Sequence, residues 1–286
     1  MNVEPVPIPI LSGLAEIAAG REAWFCDVWG VLHDGLDAFP AAVDACRAFI
    51  RRGGEIVLVS NSPRISAPVL DDLHAMGVPD DCFTALVTSG DVTRGFVEAH
   101  ATEPLFHLGP ERDMCLFEGL KARFAPAKNA NVVVCTGFFD EDRETVEDYE
   151  PMLATLAARN VPMICANPDL VVERGAKLIP CSGLLAQRYA ALGQTVIQAG
   201  KPYAPIYAAA RRKLSKPLPL SAILAIGDGV HTDIEGACAQ GIDGVYIASR
   251  VNLGDAAEDG LTQPALNRLF AGKPFRPTAA MPQLRW

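Results

Sequence analysis

The chain has 286 residues, 50% of them apolar and 21% charged, with a net charge of −9; it is a globular composition, long enough for two domains. That charge argues against nucleic acid or an anionic membrane as the main partner, and no apolar run reaches the ~20 residues a membrane span needs. A small anionic ligand stays open, because metal, lysine and backbone N–H groups at a local site override the global sign.

Met1 to Gly20 has no basic segment and carries Glu4 and Glu16, unlike a signal peptide. Beyond it, short apolar runs alternate with amphipathic segments. The predicted strands are Ala23 to Val28, Glu55 to Val59, Leu86 to Thr88, Leu105 to Leu108, Val132 to Cys135, Pro162 to Ala166, Val196 to Gln198, Ala222 to Ile226 and Gly244 to Ile247. The predicted helices are Pro40 to Arg52, Ala67 to Met76, Val146 to Arg159, Ser182 to Leu192, Pro205 to Leu214 and Asp233 to Gln240. Such alternation predicts an α/β fold with parallel sheets covered by helices. Lys273 to Trp286 is too rich in proline for a helix and reads as a tail packed on a surface. The eight cysteines form no C-x-x-C pair and several sit in apolar runs, as expected of a reduced cytoplasmic protein. The five histidines have no zinc-ligand spacing.

Several strands end in polar clusters, and ligands of open α/β sheets bind outside the carboxyl ends of strands. Asp27-Val28-Trp29-Gly30 closes the first strand; a strand-end aspartate suits a nucleophile or a hard-metal ligand, and equally a turn or cap. Ser60-Asn61-Ser62 follows the second, offering a hydroxyl and turn N–H groups to phosphate oxygens, or else an ordinary Ser/Asn turn. Lys201, between Gly200 and Pro202, is a fixed point charge or a solvated loop lysine. Asp228 and Asp233, five apart after a very apolar strand, suit a metal site, with Asp233 in a first helical turn.

In this order and at strand ends, the clusters resemble the four motifs of the haloacid dehalogenase superfamily of phosphohydrolases, most closely class IIA, the nitrophenylphosphatase, nucleotide phosphatase and pyridoxal-phosphate phosphatase group. Gly35, the Phe39-Pro40 helix start, Ser60-Asn61-Ser62, a Thr88-Ser89-Gly90-Asp91 loop, Asn167-Pro168-Asp169 and Gly200-Lys201-Pro202 also fit. The resemblance covers roughly residues 20 to 250. It implies a Rossmann-like core from residues 1–90 and 196–286, with an α/β cap inserted over 91–195. By the same analogy Asp27 attacks phosphorus to give an aspartyl-phosphate, while Ser60 and Lys201 hold the transferring oxygens. Mg²⁺ is bound by Asp27, the backbone carbonyl of Trp29 and Asp228, with Asp233 in support. Asn61, Asn167 and Asp169 join the substrate-binding set, and the Thr136-Gly137-Phe138-Phe139 stretch faces the site or else packs as cap core or dimer contact.

Active members of this group carry an aspartate two residues after the nucleophile as general acid and base; here that residue is Trp29. An indole N–H cannot be returned as a proton, and general acid–base help is worth roughly 10²–10⁴ in rate. His33 and Asp34 are the nearby substitutes, but they lie beyond the Gly30 turn. The resemblance therefore implies a Mg²⁺-dependent phosphatase of a small phosphorylated metabolite, best on esters with good leaving groups. The alternatives are a phosphometabolite-binding protein with little turnover, and a dehalogenase or phosphonate hydrolase on the same core. Proteins of this class are often homodimers through the cap; neither the substrate nor the oligomeric state is readable from the sequence.

Overall fold

The computed structural model describes residues 6–175, 177–249 and 260–286; Glu4, named above, lies outside them. Its strands are β1 (Ala23–Cys26), β2 (Glu55–Ser60), β3 (Ala85–Thr88), β4 (Pro104–Leu108), β5 (Arg123–Phe124), β6 (Val132–Cys135), β7 (Met163–Cys165), β8 (Val171–Arg174), β9 (Lys177–Pro180), β10 (Val196–Gln198), β11 (Ile223–Gly227), β12 (Asp243–Ile247) and β13 (Ala279–Met281). The α-helices are α1 (Pro40–Arg51), α2 (Ser66–Ala75), α3 (Ser89–Ala99), α4 (Val146–Ala157), α5 (Ser182–Ala191), α6 (Ala204–Arg212), α7 (Glu235–Ala239) and α8 (Gln263–Leu269). The fold is α/β with a parallel, Rossmann-like core sheet.

Two compact units emerge. One comprises Met1–Val59, Leu73–Leu86 and Ala210–Trp286; the other comprises Ser60–Asp72 and Val87–Ala209. The first sheet has the order β13-β12-β11-β1-β2-β3, with β1 parallel to both β11 and β2. All four residues of β1 are buried, as expected of a strand covered on both faces. Trp24 stacks on Phe49 of α1 with ring centroids 4.0 Å apart. Helix α1 starts on Pro40, where the missing N–H costs nothing, and buries Ala42, Val43, Ala45, Cys46 and Phe49 along one stripe.

The second sheet, β10-β7-β6-β4-β5, is parallel throughout. Its central strand explains its own sequence. In β6, Val133 and Cys135 face one apolar cluster, while Val132 and Val134 face another, so a two-residue period yields an unbroken apolar run. An antiparallel hairpin of β8 and β9 completes this unit.

Three expectations are corrected. Thr88 to Asp91 is no loop: Thr88 caps α3, its Oγ1 accepting from Asp91 N and its N–H donating to Asp91 Oδ2, both at 3.0 Å. The proline-rich tail supplies β13, which pairs parallel with β12. The helix expected from Asp233 begins as a π-type turn over Val230–Ile234, and α7 follows it. Ile234 N–H reaches back five residues to Gly229 O at 3.0 Å. Among the described residues no helix is long and apolar enough to cross a membrane.

Candidate active site

In the first unit, three carboxylates come together. Asp27 directly follows β1, and its N–H continues the ladder onto Ile226 O at 2.8 Å. Asp228 follows β11 after Gly227, and Asp233 sits in the π-type turn, where its N–H donates to Gly229 O (2.9 Å) and its Oδ2 accepts from Gly229 N (3.1 Å). One carboxylate oxygen from each of Asp27, Asp228 and Asp233 lies within 4.8 Å of the other two. Asp27 and Asp233 are buried and Asp228 is half-buried.

At an effective dielectric near 20, each pair of like charges at such a separation costs roughly 3–4 kcal/mol. A cation relieves that repulsion, and an all-carboxylate donor set suits a hard ion such as Mg²⁺ rather than zinc. The backbone makes space for the arrangement. Gly30 has φ +78°, and a Cβ there would lie 2.8 Å from Asp228 Cγ, so only glycine lets the turn after Asp27 pass this close to Asp228.

Trp29 is half-buried and folded back on its own turn. Its indole meets His33 edge-on, centroids 5.1 Å apart, and its six-membered ring lies against Gly35. His33, one of the two nearby substitutes for the missing acid, is 2% exposed, and its Nδ1 accepts from Gly35 N at 2.9 Å. Asp34 is occupied in its own turn: its Oδ1 accepts from Leu36 N and Asp37 N, each at 2.9 Å. Backbone bonds, that of Asp37 foremost, hold its carboxyl below the usual range.

In the second unit, Ser60 ends β2 and its Oγ accepts from Ser62 N at 3.1 Å. Lys201 is 3% exposed; its N–H donates to Asn61 Oδ1 at 2.7 Å. Asn61 Nδ2 donates in turn to Lys201 O (3.2 Å) and Asp169 Oδ1 (2.9 Å). Asn167 Oδ1 accepts from Asp169 N at 3.0 Å, an Asx turn closing the Asn167-Pro168-Asp169 loop. The structure thus joins Asn61, Lys201, Asp169 and Asn167 through hydrogen bonds. Phe138 is 1% exposed in the core, edge-on to Tyr149 at 5.3 Å, whereas Phe139 is 44% exposed.

No motif pointed to a further group in this unit. Asp113 is 2% exposed, and burial pushes its carboxyl up to about 6. His107, hydrogen-bonded through Nε2 to Thr136 Oγ1 at 2.9 Å, is pushed down to about 4 by burial.

Comparison with known proteins agrees with the strand-end motifs. A haloacid dehalogenase-like hydrolase model matches residues 24–123, and a second model, HAD-hydrolase-like, matches residues 198–280. The ribonucleotide monophosphatase NagD of Escherichia coli K12 is 27% identical over 232 residues, 79% of this chain and 87% of its own. The 5′-nucleotidase YutF of Bacillus subtilis is 25% identical over 247 residues, 85% of this chain and 93% of its own. A crystal structure of a haloacid dehalogenase-like hydrolase from Brucella suis 1330 superimposes with TM-score 0.86 at 38% identity, covering 96% of this chain and all of that one. With that identity across almost its whole length, the chain belongs to the haloacid dehalogenase-like hydrolase family.

Proposed function

We propose that this protein is a Mg²⁺-dependent phosphohydrolase that acts through an aspartyl-phosphate on a small phosphorylated metabolite, with weakened general-acid catalysis. The observation that carries the reading is the carboxylate trio, with Asp27 at the carboxyl end of the central strand β1. Asp27, Asp228 and Asp233, together with the backbone carbonyl of Trp29, would hold the ion. When bound, Mg²⁺ supplies neutralisation of phosphoryl charge.

The chain's own residues do the rest. A carboxylate oxygen of Asp27 attacks phosphorus, the ester P–O bond breaks, and the leaving oxygen departs with its electron pair. Water then attacks the phosphorus of the aspartyl-phosphate, the bond to Asp27 breaks, and inorganic phosphate is released. Ser60 and Lys201 hold the phosphoryl oxygens, the lysine as a buried point charge on a backbone fixed by Asn61. The inserted residues 91–195 serve as a cap that selects the substrate. The relatives, a ribonucleotide monophosphatase and a 5′-nucleotidase, support a phosphate monoester of nucleotide or sugar size. The protein works in the cytoplasm.

Trp29 offers no ionisable group where the family's active phosphatases keep an acid, and its ring is committed to His33 and Gly35. That packing favours a second reading, a phosphometabolite-binding protein with little turnover. One experiment decides between them. Sustained Mg²⁺-dependent phosphate release from p-nitrophenyl phosphate over many cycles eliminates the binding-only reading; none over hours eliminates the phosphatase. In an active protein, Trp29→Asp should accelerate alkyl-phosphate hydrolysis by about 10²-fold and aryl-phosphate hydrolysis far less. Equal or falling rates on both would remove the missing-acid argument.

A further inference from the structure

We infer that Asn61 and Asp169 are positioning residues that set the backbone of Lys201, rather than contacts to the substrate. The inference rests on the phosphatase reading for what Lys201 holds, and on the geometry for how Lys201 is held.

A side-chain amide has two N–H donors and one carbonyl acceptor. In Asn61, which is 4% exposed, both donors and the acceptor are engaged: Oδ1 takes Lys201 N–H at 2.7 Å, and Nδ2 serves Lys201 O at 3.2 Å and Asp169 Oδ1 at 2.9 Å. The partners dictate which way the amide faces, since only its oxygen can accept from an N–H and only its nitrogen can donate to a carbonyl and a carboxylate. Asn61 therefore mimics a strand neighbour, pairing with both polar groups of the Lys201 backbone.

Asp169 is itself held on a rigid loop. Its N–H donates to Asn167 Oδ1 at 3.0 Å, its carbonyl accepts from Gly183 N at 3.1 Å, and Ser182 Oγ donates to Asn167 O at 2.9 Å. Gly200 completes the assembly: a Cβ there would lie 2.7 Å from Pro168 Cδ and 3.0 Å from Ser89 Oγ, and would also meet Asn61 Oδ1. The Asn61 side chain thus joins the loops that follow β2, β7 and β10, pairing with the Lys201 backbone and the Asp169 carboxylate, and the lysine emerges from the junction. Misplacing a catalytic group by about 1 Å can cost on the order of 10²-fold in rate, so the junction matters without touching substrate.

The test combines p-nitrophenyl phosphate kinetics in Mg²⁺ with the affinity for inorganic phosphate by calorimetry. It compares wild type with Asn61→Ala, Asp169→Ala, Asp169→Asn, Lys201→Met and the double variant Asn61→Ala/Lys201→Met. Asn61→Ala should lose about 10–100-fold in kcat/KM, and about nothing further once Lys201 is already methionine. Asp169→Asn, whose amide oxygen still accepts from Asn61, should stay within about 2-fold of wild type, while Asp169→Ala loses about 5–10-fold. If Asp169→Asn is as damaging as Asp169→Ala, or the Asn61 and Lys201 losses multiply, the latch is refuted and the phosphatase stands. If wild type binds phosphate without turnover and the affinities follow the expected pattern, the latch stands and the phosphatase reading falls. If wild type neither turns over nor binds phosphate, both fall.

Discussion

The first unit crowds charges of one sign; the second locks a charge of the opposite sign in place. Asp27, Asp228 and Asp233 bring oxygens within 4.8 Å of one another, an arrangement whose repulsion a cation relieves. Lys201 is buried on a backbone already paired with Asn61. The first unit is therefore expected to gain stability from its ligand, the second to have its geometry before any ligand arrives. Proteins often carry such local cost where the chemistry needs it and compensate elsewhere.

The strongest way to break this contrast is Asp27→Asn. It should abolish p-nitrophenyl phosphate hydrolysis, a loss of about 10³-fold or more. Activity that persists removes Asp27 as nucleophile.

Asp113 gives the next largest effect: it is a carboxylate in the second unit whose burial outweighs its Thr136 hydrogen bond and the nearby Arg112 and Arg64 charges. Its folded pKa of about 6 lies above the ordinary 3.8, so its contribution to stability falls as pH rises from about 4 to about 6. His107, pushed down from 6.5 to about 4, contributes the opposite slope over almost the same range. The pair should thus leave the wild-type profile nearly flat there. Asp113→Asn should be more stable than wild type at pH 7 by up to about 3 kcal/mol, with the gain fading toward pH 4. Urea unfolding between pH 4 and 8 checks it, and an unchanged or lower stability at pH 7 would count against it.

The smallest of the three effects concerns metal. At a Mg²⁺ concentration 100 times its dissociation constant, the wild type should gain about 2.7 kcal/mol, read as a raised midpoint. Asp228→Asn should lose most of that gain. An equal Mg²⁺ response in both proteins would place the ion elsewhere.

How much of this was legible in the sequence depends on the range over which each feature is encoded. Every predicted strand is present within a residue or two, because β-branched runs such as Val132 to Cys135 announce a buried parallel strand locally. The hairpin of β8 and β9 was missed: Val171–Arg174 is half-buried throughout, so it shows neither an apolar run nor alternation. Thr88 to Asp91 has turn composition, yet the same residues form a capping box. Asp27, Asp228 and Lys201 stood out as candidates through the ordered set of strand-end clusters, since Asp27 alone also reads as a turn or cap and Lys201 alone as a solvated loop lysine. The Asn61 latch did not, since it joins residues 108 and 140 positions apart, and Asp113 lies in a segment with no motif.

One feature of the first sheet bears on how this protein survives in a crowded solution. Strand β13 lies at the border of that sheet, where unpaired backbone groups would recruit a strand from another molecule. The stretch around Ile10 covers it: Leu11 N donates to Ala280 O at 2.9 Å and Ala280 N to Pro9 O at 2.8 Å. Trp286 then packs against Trp24 and Phe49. Removing residues 6–12 would leave the candidate catalytic residues in place but uncover a template for aggregation, so shortened versions of this protein are expected to fail by precipitating before they fail by losing activity.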